Sequence, residues 1–165
     1  MFKTDNFVRN DIVNFSLEQR HKPYIHGKHG PDSFDCAGLV WYVYKEILGI
    51  DIYTDGFGLS TTTKIMTSSY GKLILYDELS LAKDISLIKK GDIVFLHRQS
   101  KNDTEPKENN KYPGHCGIYL GDNRFIHCSS TKGIVVVSNF EKNDYWKRKL
   151  VGAKDIVSDE KVLRK

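Results

Sequence analysis

The chain has 165 residues and a mass of 18.9 kDa, enough for one domain with its own core and too little for two ordinary ones. Hydrophobic residues make up 39% and charged residues 28%, which excludes a disordered or collagen-like chain. Lys and Arg outnumber Asp and Glu by 25 to 21, too slight an excess to indicate a nucleic-acid partner.

Residues 1–20 place Asp5, Arg9, Asp11, Glu18 and Arg20 among apolar positions, unlike a signal peptide. No apolar run reaches the ~18–20 residues of a membrane span. The expectation is a protein made in the cytoplasm without a leader. Phe7, Val8, Ile12 and Phe15 recur at roughly helical spacing, so residues 5–20 read as a first helix. Residues 22–33 hold Pro23, Gly27, Gly30 and Pro31 and read as turns. A second helix starts at Asp35 or Cys36; Cys36, Leu39, Val40, Val43 and Ile47 form its apolar face, and Gly49 stops it. Residues 51–72 are mixed, with a short helix near 60–68.

After Lys90 the hydrophobic period shortens. Strands are expected at 92–96, 116–120, 124–128, 134–137 and 152–156. The polar stretch 98–114 reads as a mobile surface loop bordering any cleft, since it leads straight into His115. Helices first and a meandering antiparallel sheet afterwards predict one α+β domain over residues 1–165, with the second helix packed on the sheet.

Three cysteines, Cys36, Cys116 and Cys128, with no C-x-x-C spacing, argue against a disulfide framework and leave room for a reactive thiol. Cys36 stands at a helix N-terminus, where unpaired N–H groups and the helix dipole favour thiolate. Its plainer reading is a small buried residue on an apolar face. Six histidines are present, and His115 and His127 bracket one hairpin. A three-residue loop, Gly121-Asp122-Asn123, sets Leu120 opposite Arg124 and His127 opposite Gly117. The two imidazoles then share a face, with Gly117 leaving space beside them, and a Cys36 thiolate over them makes a nucleophile, base and orienter. A two-residue loop separates the rings. Cys116 and Cys128 fall on the other face as core packing. Zinc is the rival reading of His115-Cys116 and His127-Cys128, but adjacent strand residues point to opposite faces, so the four do not converge.

Four ordered blocks then carry a resemblance: Phe34-Asp35-Cys36-Ala37-Gly38-Leu39-Val40, Gly91-Asp92-Ile93-Val94-Phe95, Gly114-His115-Cys116-Gly117-Ile118-Tyr119-Leu120-Gly121 and Phe125-Ile126-His127-Cys128-Ser129. From about residue 23 to 137 the chain resembles the NlpC/p60 cysteine peptidases. The resemblance implies a papain-like α+β fold, with the nucleophile helix packed on a four- to six-stranded antiparallel sheet. It also implies hydrolysis of amide bonds in peptidoglycan stem peptides, at the γ-D-glutamyl-diamino acid bond, through a thioester and with no cofactor or metal. It assigns Cys36 as nucleophile, His115 as base and His127 as third polar residue, with Tyr24 and Asp35 toward the oxyanion and substrate. Ala37 stands where family members carry Ser, which weakens the expectation that Asp35 binds a substrate amine. The stretch 144–153 resembles the ending of phage tail-associated wall peptidases, implying phage tail or lysis partners and delivery to the wall. Amidases and acyltransferases of the same fold, or an inert phage structural or wall-binding subunit, are the alternatives.

Overall fold

The first helix, α1 (Asp5–Glu18), begins where the Thr4 side chain accepts the Phe7 N–H at 3.3 Å. The structure is a computed structural model and describes residues 4–52, 61–76, 82–98, 113–142 and 144–163. The helix ends two residues before the expected limit of 20, as the Gln19 N–H turns to the Ser16 carbonyl at 3.0 Å. Arg9 on its inner face is buried and paired with Asp5 (2.5 Å), Asp92 (2.6 Å) and Asp155 (2.6 Å). Three carboxylates offset the cost of desolvating one guanidinium, and two of them, Asp92 and Asp155, fasten α1 to the sheet at the start of one strand and the end of another.

The second helix, α2 (Cys36–Leu48), follows the sequence expectation: Asp35 is its N-cap and Gly49 closes it in the left-handed region. A third, short helix, α3 (Thr61–Thr67), lies where 60–68 was expected. Among the described residues the sheet has six strands: β1 (Lys72–Leu75), β2 (Ile93–Leu96), β3 (His115–Gly121), β4 (Arg124–Ser129), β5 (Ile134–Asn139) and β6 (Leu150–Asp155). Their order is β1-β6-β2-β3-β4-β5, with every pairing antiparallel.

Among the described residues four elements were not anticipated: a 3-10 turn (Ile85–Leu87), a C-terminal helical turn (Glu160–Leu163), the strand β1 and one further helix. The edge strand β1 is mostly exposed, so its Lys-Leu-Ile-Leu run has no alternation to read. Helix α4 (Asp144–Lys149) is a single polar stretch held by one buried ring, Trp146. The last strand starts at Leu150, two residues before the expected 152, and lies between β1 and β2. The predicted loop 98–114 falls mostly on residues 99–112, outside the described residues.

The two sheet faces carry different cores. Leu39, Val40 and Val43 of α2 pack with Cys116, Ile118, Ile126 and Cys128 on one face. Val94, Phe125, Phe140, Trp146 and Leu150 pack on the other.

The β3–β4 hairpin departs from the expected loop. Gly121, not Leu120, pairs with Arg124, so the turn has two residues, Asp122 and Asn123, at φ 53° and 63°. A register shift between Tyr119 and Gly121 then inserts one residue into β3. Tyr119 pairs with Phe125 and Ile118 with Ile126, the register the three-residue loop predicted. A short turn plus a bulge is equivalent to the odd loop, and the side-chain parity of the strands survives.

Candidate active site

At the mouth of α2, Asp35 uses both carboxylate oxygens on backbone. Oδ1 accepts from the Gly38 N–H at 2.7 Å and Oδ2 from the Gly27 N–H at 3.0 Å. The carboxylate thus ties the turn at 22–33 to the nucleophile helix. The contact is close: a Cβ on Gly38 would lie 2.2 Å from the Lys28 carbonyl oxygen, so only glycine admits the turn. Burial raises the Asp35 pKa above the ordinary carboxylate value, against the two N–H donors, and the Cys36 charge adds to the rise.

The Cys36 sulfur lies 3.8 Å from Thr62 Oγ1 and 4.0 Å from the Gly114 carbonyl oxygen. Its thiol is held well below the ordinary cysteine value. The Cys116 thiol hydrogen bond contributes most, then a hydrogen bond and charge from His115, then the Thr62 hydroxyl, while burial opposes them. Cys116 moves the other way, because a buried thiol that donates to a thiolate keeps its proton.

His115 Nε2 and His127 Nδ1 are 2.7 Å apart, and His127 Nε2 is 2.8 Å from Ser138 Oγ. His127 is buried, and desolvation, with the His115 charge second, pushes its pKa well below the ordinary value. It is therefore neutral and carries one proton. With that proton on Nε2, it donates to Ser138 and accepts His115 Nε2–H on Nδ1. This leaves His115 Nδ1 for the sulfur. Trp146 covers the pair, its ring centroid 5.0 Å from His127 in an edge arrangement and 6.2 Å from His115 in a stacked one.

The two imidazoles share one side of the sheet, as expected, but not the side under α2. His127 contacts Phe125 and Trp146, whereas α2 packs on the face of Ile118 and Ile126. Cys36 therefore does not lie over the rings. It meets His115 around the end of β3, where Gly114 separates strand from helix mouth. Gly117 supplies the expected space: a Cβ there would come 3.1 Å from His127 Cβ and 2.5 Å from the Ile126 carbonyl oxygen.

Tyr24, Asp35, Cys36, Thr62, Arg98 and His115 line one cleft of about 270 Å³. Four of the five expected site residues, Tyr24, Asp35, Cys36 and His115, border it, and His127 stands behind His115. Burial raises the Tyr24 phenol, with the Cys36 charge adding to the rise. All three cysteines are free; Cys128 donates to the Phe34 carbonyl oxygen at 3.3 Å. Among the described residues no group of three His, Cys, Asp or Glu is placed to hold a metal ion.

Residues 21–155 match the NlpC/P60 family. The chain belongs to that family. Murein DD-endopeptidase MepH of Escherichia coli is 29% identical over 153 residues, covering 92% of this chain and 47% of the relative. The gamma-DL-glutamyl hydrolase of Bacillus subtilis is 26% identical over 137 residues, covering 82% of this chain and 27% of the relative. The chain thus spans half or less of these two curated relatives. The NlpC/p60 domain of the peptidoglycan hydrolase SagA superposes with a TM-score of 0.61 at 24% identity, covering 89% of this chain and 97% of that domain. The α+β, papain-like architecture follows from that likeness and from the six-stranded sheet.

Four residues of this NlpC/P60 site were missed in sequence: Thr62, Cys116, Ser138 and Trp146. Ser138 left one faint signal, a hydroxyl directly after the apolar run Ile134 to Val137. Cys116 was assigned to packing; it is buried, but its sulfur also meets Thr62 Oγ1 at 3.8 Å beside the Cys36 thiol.

Proposed function

We propose that this NlpC/P60 domain is a cysteine peptidase that hydrolyses amide bonds in peptidoglycan stem peptides, cutting between a γ-D-glutamyl residue and the following diamino acid. The observation that carries the reading is the hydrogen-bonded line from Ser138 through His127 to His115, which stands beside the Cys36 thiol of lowered pKa in an open cleft. An inert binding domain has no use for a thiolate, a base and an ordered relay together. The names of the relatives, a murein endopeptidase and a glutamyl hydrolase, supply the substrate class.

The chemistry follows from the geometry. His115 Nδ1 takes the Cys36 proton, and the imidazolium is stabilised by His127 Nδ1, which accepts from His115 Nε2–H. The thiolate attacks the amide carbonyl carbon, and the oxyanion meets the Cys36 backbone N–H and the Tyr24 hydroxyl. The first N–H of a helix has no acceptor within the helix, so it is available for this. Loss of one such donor typically costs ~10²–10³ in rate. The C–N bond breaks as His115 Nδ1–H protonates the leaving amine, leaving a thioester. Water then attacks that thioester, His115 takes the water proton, and the C–S bond breaks to restore the thiolate.

Purified wall fragments, digested and read by mass spectrometry, test the proposal. Stem-peptide fragments should appear with the wild type and vanish with Cys36→Ala and Cys36→Ser. Equal digestion by the Cys36 variants refutes it, and fragments released only at the sugar–peptide amide point to an amidase instead.

A further inference from the structure

One charged group in the cleft has no task in the chemistry above. Among the described residues, Arg98 is the only lysine or arginine lining it. Its guanidinium is exposed, and among the described residues it makes no hydrogen bond or ion pair. Arg9, by contrast, is buried and paired with three carboxylates.

The root of Arg98 is nevertheless held in place. The residue before it, His97, donates its backbone N–H to the Lys149 carbonyl at 2.8 Å, and Lys149 Nζ donates to the Arg98 carbonyl oxygen at 3.1 Å. Arg98 Cβ rests against Gly114, where an added Cβ would come within 3.0 Å. The Gly114 carbonyl oxygen is itself 4.0 Å from the Cys36 sulfur. The side chain thus springs from a fixed point one residue away from the nucleophile, with a free head. Its charge also reaches across the cleft, acting on the Tyr24 phenol against the rise that burial causes.

Asp35 repels anions, and the charge of the Cys36 thiolate is matched by the His115 imidazolium that holds its proton. A substrate carboxylate seated beside the scissile bond therefore gains from a separate cation. Arginine suits it, because the planar guanidinium binds a carboxylate through two parallel N–H donors. We propose that Arg98 recognises a carboxylate on the acyl side of the scissile amide. In the γ-D-glutamyl reading, on which the identity of that group rests, it is the α-carboxylate. A γ-linked glutamyl residue keeps this carboxylate free a few bonds from the scissile carbonyl. An α-linked residue other than Asp or Glu has no carboxylate there. Arg98 then distinguishes the γ-linked stem from peptides without an acidic residue on the acyl side.

The test uses pairs of synthetic stem peptides that differ only in that group, α-carboxylate against α-carboxamide. The full chain is assayed as wild type, Arg98→Ala and Arg98→Lys, and product masses report which bond is cut. The wild type should prefer the carboxylate peptide by ~10–100-fold in kcat/KM, the scale of charge-assisted hydrogen bonds. The preference should reside mainly in KM. It should fall toward unity in Arg98→Ala and be kept in part by Arg98→Lys. No preference in the wild type, or an equal loss on both peptides in Arg98→Ala, overturns the assignment. Cleavage at another bond refutes the γ-D-glutamyl reading alone. Peptides amidated at the carboxyl nearest that bond then give the same ratio, and it decides Arg98 by the same criterion.

Discussion

Replacing Ser138 with alanine isolates what the end of the relay does. The substitution removes the acceptor that lies 2.8 Å from His127 Nε2 and leaves the ring buried. An orphaned buried N–H costs ~1–3 kcal/mol. The ring can escape that cost by moving its proton to Nδ1, which faces His115 Nε2 at 2.7 Å. His127 then donates where it formerly accepted, and His115 must carry its own proton on the nitrogen turned to the sulfur. A base protonated on its working nitrogen cannot take the thiol proton, and its imidazolium loses an acceptor. Each ~1.4 kcal/mol of lost stabilisation is tenfold in rate. We expect kcat to fall ~10–100-fold with KM within about twofold, on the scale of that N–H penalty.

The thiol reports the same change independently. Its depressed pKa means that thiolate persists on the acid side of the ordinary cysteine range and disappears as pH falls through the folded value. A less stable imidazolium partner raises that value, so iodoacetamide labelling of Cys36, read by peptide mass mapping, should slow at low pH. Its midpoint should move up by about one unit, equivalent to ~1.4 kcal/mol. Ser138→Thr, which keeps the oxygen, should recover most of both effects. A variant that only melts earlier, with kcat and the labelling profile unchanged, refutes the reasoning.

Two further outcomes are expected. Cys116→Val keeps a buried apolar residue but removes the thiol donor to Cys36, so the Cys36 labelling midpoint should rise and kcat at low pH should drop several-fold. An unmoved profile shows that the neighbouring sulfur leaves the nucleophile alone. Gly38→Ala sets two effects against each other: helix propensity favours alanine by ~0.8–1.0 kcal/mol, whereas its Cβ meets the Lys28 carbonyl oxygen at 2.2 Å. Backbone does not yield cheaply, so Tm should fall and activity with it, as the turn carrying Tyr24 is displaced. A raised Tm means that the turn relaxes freely.

What the sequence alone determined is local or periodic. The α2 boundaries follow from Asp35 and Gly49, because a cap side chain and a left-handed glycine act within a turn of the helix. The shared face of His115 and His127 follows from strand parity, and it held although the predicted loop did not. Parity counts residues, and a two-residue turn with a bulge counts the same as a three-residue loop. The tertiary structure alone decided which side of the sheet α2 covers, that the sulfur reaches His115 around the end of β3, and that Thr62, Cys116, Ser138 and Trp146 converge on the site. Those facts depend on contacts between residues far apart in the chain. Such contacts are set by how two unlike apolar faces of one sheet find their covers, which no local spacing encodes.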